Sequence, residues 1–290
     1  MLCVRDSSEN PFYGRKLVWH KKIVADSPTL AQLGARPIWF SDFKKDFLRQ
    51  AQDDNLFYSY LRQMLEIVYQ DEHLIAINKP HGLLVHRSKM ANDATEFALQ
   101  MLRDQIGRHV SPVHRLDRKT SGILLFTFEK EVEIAMHKQF QESLVEKKYL
   151  AILRGYAPDE LDIDYPLAKE NGNMQDAFTY FKTLQRAEID VAFGKHQTSR
   201  YSLVEATPKT GRMHQLRRHF AHIFHPIIGD RKHGCNKQNR FFMEQFEMTT
   251  MLLHASELSF IHPVTANKIT INSTIHEEFK RVMELMKFTN

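Results

Sequence analysis

Two cysteines in 290 residues, Cys3 and Cys235, are too few for a disulfide framework, which points to a reducing compartment and by default the cytoplasm. No apolar run approaches the ~20 residues a membrane helix needs, so membrane association is not expected. The opening MLCVRDSSENPFYG carries acidic residues and no apolar segment, unlike a secretory leader. Glycine (11) and proline (10) are sparse, and there is no internal repeat or low-complexity tract. With 42% hydrophobic and 26% charged residues, this is the composition of a globular chain with a full core. Phosphate loops are missing too. Neither G-x-x-x-x-G-K-[ST] nor G-x-G-x-x-G occurs, so no nucleotide cofactor is expected. Ser121 has neither glycine at the two-residue spacing that a hydrolase elbow requires.

What the chain does have is clustered positive charge. The net charge is +5, but eight Lys/Arg fall between Lys209 and Arg240 against a single acid, Asp230. Such a field suits a phosphate backbone, although a solvated basic face would look the same. Sixteen histidines are present, and His214, His219, His222 and His225 lie in or just after one predicted helix. A zinc site would want a Glu between the paired histidines or a Cys pair, and neither occurs, so no metal is expected. Histidines mixed with arginines fit a nucleic-acid face better.

Residues 1–63 hold both tryptophans and ten aromatics, with a helical pattern only from Ser41 to Gln63 and no motif. They are expected to be an N-terminal extension, and Met64 is an alternative native start. Residues 64–290 are expected to form one catalytic domain. There EIVYQ, HLIAINKP and GLLVH read as strands. Asp93 to Ile106 reads as a helix with an Asp93/Glu96 capping box and a Gly107 stop. Strands follow around 112–114 and 122–128, then a helix over Lys130–Glu142 and a strand over Lys147–Gly155. Most of 156–197 reads as loop, with a strand over Ala177–Thr183 and another near Ile189. A strand over Arg200–Pro208 leads into a helix from Arg212 to Phe224. HPIIGD and KHGCNKQNR read as loop, followed by two strands and a closing helix over Glu277–Met286. Helices distributed among strands predict an α+β domain on a mixed or antiparallel sheet.

The densest stretch is His114 to Phe128, HRLDRKTSGILLFTF. It places Asp117 in a polar turn just ahead of a buried strand, between Arg115 and Arg118. A carboxylate so placed is either a surface ion pair or a held reactive group. Tyr149, Arg212, Arg217 and the Leu253-His254 pair are its candidate companions. HRLDRKTSG, together with NKPHGLLVH, KKY, TGRMHQLRRH, HPIIGD and LLHA in that order, resembles the RluA family of pseudouridine synthases over about residues 64–275. Within it, the chain is most similar to the short bacterial form that acts on tRNA.

The resemblance implies a mixed, mainly antiparallel sheet with peripheral helices and a central cleft. It implies cofactor-free isomerisation of uridine to pseudouridine in RNA, with tRNA as the favoured substrate; the protein is expected to act as a monomer. Ribosomal RNA, or an RNA-folding role with secondary activity, are the alternatives. Asp117 corresponds to the catalytic aspartate, Arg217 to the basic residue paired with it, and Tyr149 to the tyrosine against the target base, proposed to help remove the C5 proton. Arg115 corresponds to the arginine that fills the gap left by the extruded nucleotide. Arg212, His214 and Arg218 are expected on the RNA. The chemistry is consistent with these residues. Breaking the C1′–N1 bond and joining C1′ to C5 needs no redox group, a carboxylate can serve as base or nucleophile, and base extrusion calls for stacking and gap-filling groups.

Overall fold

The computed structural model describes residues 64–87 and 95–288. The expected extension over 1–63 and the Asp93 cap lie outside the described residues. The chain forms a ten-stranded sheet whose main path runs β1 (Glu66–Gln70), β2 (Leu74–Lys79), β4 (Ser121–Thr127), β11 (Leu253–Ile261), β5 (Glu146–Arg154), β10 (Ser199–Pro208), β9 (Phe178–Ile189) and β6 (Glu160–Asp164). The two-residue β3 (Ser111–Pro112) pairs with β4, and β12 (Lys268–Asn272) pairs with β11. Every pairing is antiparallel except β4 with β11, at the middle of the sheet. No helix among the described residues is long and apolar enough to cross a membrane.

The unbroken apolar run of β4 follows from cover on both faces. Leu124 and Phe126 pack with Ala98 and Leu102 of α1 (Ala98–Ile106). Ile123 and Leu125 pack with Val132 and Met136 of α2 (Lys130–Gln141). The junction of β4 with β11 depends on Gly122. Its φ is +107°, and a Cβ there would lie 2.2 Å from the Ala255 carbonyl oxygen. Gly122→Ala is therefore expected to lower stability by about 2–4 kcal/mol through overpacking and backbone strain. A urea midpoint equal to that of the parent protein would contradict this. Beside the glycine, buried His254 accepts or donates hydrogen bonds at 2.9 Å to Ser121 Oγ and to Ser273 Oγ, which ties β4 to the segment after β12.

Several segments differ from expectation. GLLVH is not a strand: the Leu83 carbonyl is taken by Lys79 Nζ, while those of Leu84 and Val85 accept the Ala98 and Leu99 N–H groups. The last two cap α1, which therefore starts at Ala98 without a side-chain cap. Within the expected 156–197 loop, ELDID forms β6, a charged edge strand that buries only Ile163. The two strands expected near 177–183 and Ile189 are one twelve-residue strand, β9. A small hairpin, β7 (Leu167–Ala168) and β8 (Met174–Gln175), stands apart from the main sheet. The helix expected over 212–224 is α3 (Gln215–His222), shorter because residues 210–214 form a turn pinned by the Gln215 side chain. Part of the expected loop KHGCNKQNR begins α4 (Asn236–Phe246), anchored by buried Gln238 and Phe242. The closing helix is α5 (Glu277–Leu285).

Candidate active site

The turn carrying Asp117 is held from three directions. On one side the Leu125 N–H donates to His114 Nε2 at 3.0 Å, and the His114 ring stacks on Phe140 at 5.1 Å. Burial pushes this imidazole down to about 3, so it stays neutral and keeps that nitrogen as an acceptor. On another side the fully buried Lys79 donates through Nζ to the carbonyls of Pro80 and Leu83, both at 2.9 Å, and of Arg118 at 3.3 Å. Burial pushes its ammonium down to about 7, opposed by the charge of Asp117. Within the turn, the Thr120 N–H donates to the Asp117 carbonyl at 3.0 Å. The side chain that emerges is one-fifth exposed.

Facing it is α3. Gln215, 5% exposed, accepts from Thr210 Oγ1 at 2.6 Å and from the Arg212 N–H at 3.0 Å, and its amide donates to the Phe178 carbonyl at 2.9 Å and Thr179 Oγ1 at 3.0 Å. Two residues along, Arg217 is buried between two carboxylates. Its Nη1 donates to Asp117 Oδ2 at 2.9 Å, while Nε and Nη2 form a fork on Asp230 at 2.7 and 2.8 Å. Two N–H groups in a fixed fork are what carboxylate geometry matches. Asp230, 1% exposed, also receives the N–H groups of Lys232 (2.9 Å) and His233 (3.1 Å). Burial opposes its ionisation, but the Arg217 fork and those N–H donors hold its carboxyl below the usual range. Burial likewise works against charge on Arg217, and its two carboxylates raise it above the ordinary value.

Two further groups complete the surroundings of Asp117. Tyr149 of β5 lies opposite Ala255 of β11, which in turn lies opposite Gly122 of β4, so three central strands bring it beside the Asp117 turn. Burial, then the Asp117 charge, push its phenol well above the ordinary range, and it is neutral at physiological pH. His214 stands just before α3 in the left-handed region (φ 55°), with Nε2 3.7 Å from Asp117 Oδ2 and Nδ1 hydrogen-bonded to His233 Nε2 at 2.9 Å.

Of the residues singled out from the sequence, Asp117, Arg217, His214 and Tyr149 come together. Arg212 and Arg218 do not join them. Arg212 Nε donates to the Asp176 carbonyl and Arg218 Nη1 to the Ala168 carbonyl, both at 2.9 Å, so the first ties the turn before α3, and the second α3 itself, to the β7–β8 region. Arg115 is exposed beside the turn. Asp230 had no assigned role from sequence. Its signal was its solitude, as the one acid in a segment with eight cations. Lys79 and His233 were missed as well, since neither spacing nor periodicity marks them.

The family model for RNA pseudouridylate synthase matches residues 73–222. The chain is 46% identical over 232 residues to the tRNA pseudouridine synthase C of Vibrio vulnificus, covering 76% of this chain and 95% of the relative. It is 45% identical over 238 residues to the protein of the same name from Haemophilus influenzae, covering 78% of this chain and 100% of the relative. In fold it is similar to human RNA Pseudouridylate Synthase Domain Containing 4, with a TM-score of 0.60 at 23% identity over 80% of this chain and 96% of that one. By this overlap in sequence and in sheet architecture, the chain belongs to the RNA pseudouridylate synthase family.

Proposed function

We propose that this protein isomerises a uridine of tRNA to pseudouridine, acting as a monomer and without a cofactor. The observation that carries the reading is the one-sided grip on Asp117. Both nitrogen-bearing neighbours, the Arg217 guanidinium and the His214 imidazole, face Oδ2. Oδ1 is the oxygen turned to the substrate, where it meets the ribose C1′ as base or nucleophile. Tyr149 gives the extruded uracil a flat wall and a neutral hydroxyl that can donate. Arg115 enters the gap in the stack, and the remaining N–H groups of Arg212 and Arg218 meet phosphates. The tRNA substrate rests on the names of the relatives, which align with 76–78% of the chain at 45–46% identity.

Isomerisation replaces the hydrogen at C5 with the ribose carbon, so tRNA labelled with tritium at uridine C5 must lose label to water. Incubating the protein with total tRNA so labelled is expected to release tritium in a fixed, sub-stoichiometric amount that maps to one site. No release from any tRNA would overturn the reading, and release from ribosomal RNA alone would move the substrate there.

A further inference from the structure

Once C5 has joined C1′, its proton must go to a base near Asp117, and among the described residues few groups could take it. The Tyr149 phenol is neutral and therefore a poor acceptor. The Lys79 ammonium spends its N–H groups on three carbonyls. Asp117 leaves C1′ as the bond to C5 forms, its Oδ2 stays on Arg217 Nη1 at 2.9 Å, and a carboxylate is ordinarily a weaker base than an imidazole. His214 remains. Its ring is one-fifth exposed, and its Nε2 lies 3.7 Å from Asp117 Oδ2, beyond hydrogen-bond reach. The nitrogen and the carboxylate thus border one space without closing it. The other nitrogen is engaged with His233 at 2.9 Å, and the backbone N–H of His233 is in turn fixed on Asp230. Asp230 therefore supports both arms that reach Asp117, one through Arg217 and one through His233 and His214. The backbone at His214 is held at φ 55°, a strained value for a residue with a Cβ.

Building on the isomerase reading, we propose that His214 Nε2 is the base that removes the C5 proton, with His233 as the positioning residue that keeps the His214 proton on Nδ1. The C5–H bond breaks and its proton goes to Nε2. Its electron pair forms the C5–C6 double bond, the C6–N1 π pair moves onto N1, and N1 takes a proton from water. The imidazolium then returns its proton to solvent through its exposed edge, so the net change is one proton moved from C5 to N1. The groups facing the ring are Asp117, Arg217, Lys232, Asp230 and His233. Burial, with Arg217 and Lys232, outweighs the two carboxylates and lowers the imidazole below its ordinary range, which suits a base that must rest neutral.

The test uses His214→Gly, because glycine accepts the positive φ and leaves room for free imidazole. Substrate is tRNA carrying protium or deuterium at uridine C5. Expected are a kcat about 10²–10³-fold lower, a C5 deuterium isotope effect larger than that of the parent enzyme, and recovery of rate on adding imidazole. His214→Asn, which also tolerates the backbone, is expected to show the same isotope effect without depending on rescue. A rate loss with an unchanged isotope effect and no response to imidazole would assign His214 a structural role and overturn the proposal, as would an unchanged kcat. Failure of the parent protein to make pseudouridine would instead overturn the isomerase reading on which it rests.

Discussion

Asp117→Asn is expected to yield a folded protein that binds tRNA and forms no measurable pseudouridine. The asparagine keeps the volume, and its carbonyl can still accept the 2.9 Å hydrogen bond from Arg217 Nη1. Arg217 retains its full fork on Asp230, so no buried charge is left without a partner. What disappears is the negative charge on the side chain proposed to meet C1′, and with it the proposed nucleophile or base. A loss of at least about 10⁴-fold is expected, on the scale of removing a nucleophile from an otherwise intact site. That is about 5.5 kcal/mol of transition-state stabilisation. Single-turnover conversion and filter binding on the same RNA separate the two effects. Pseudouridine formed at near the parental rate would sink the mechanism, and binding lost in parallel with activity would mean that Asp117 acts on RNA affinity instead.

The parts of this site that were legible in the sequence are those where residue type and local pattern coincide. Asp117 sits in a short polar turn next to the most buried strand of the domain, and the apolar run of β4 announces that strand. The pairing of Asp117 with Arg217 spans 100 residues, and only the ordered motif blocks anticipated it. Asp230 reaches Arg217 from a loop 13 residues away, a separation that no helical or strand period encodes. Of the strands missed or split, β6 buries only Ile163 among four acidic or exposed residues, and β9 interrupts its buried residues with outward Lys182, Arg186 and Glu188, so neither carries a continuous apolar signal. The missed helix α4 opens with the polar NKQNR and brings its aromatic anchors only at Phe241 and Phe242. GLLVH failed for the opposite reason. It has strand-like residues, but its carbonyls are claimed by a buried ammonium and a helix start, and the sequence of the segment itself carries neither fact.

Asp230→Ala is expected to be the most destabilising of the site substitutions, at about 3–5 kcal/mol, the usual cost of removing one partner from a buried ion pair. Two oxygens that accept from Arg217, Lys232 and His233 vanish together. The freed face of Arg217 is then expected to turn toward Asp117 and engage both of its oxygens, lowering kcat with little change in KM at temperatures where the variant is folded. Acid sensitivity separates this from loss of packing. The folded-state carboxyl of Asp230 lies below its unfolded value, so its contribution is fully present above about pH 3.9 and is lost as pH falls through the folded value. The parent protein is therefore expected to lose more stability than Asp230→Asn across that acidic window, as read from urea midpoints. Replacing both partners, Arg217→Met with Asp230→Leu, is expected to recover much of the stability, since apolar groups of similar volume often substitute well for a buried pair, and to leave the enzyme inactive. A double variant as unstable as Asp230→Ala would mean that the pair is needed for folding. A stable and inactive one would place its value in aiming a single guanidinium N–H at Asp117.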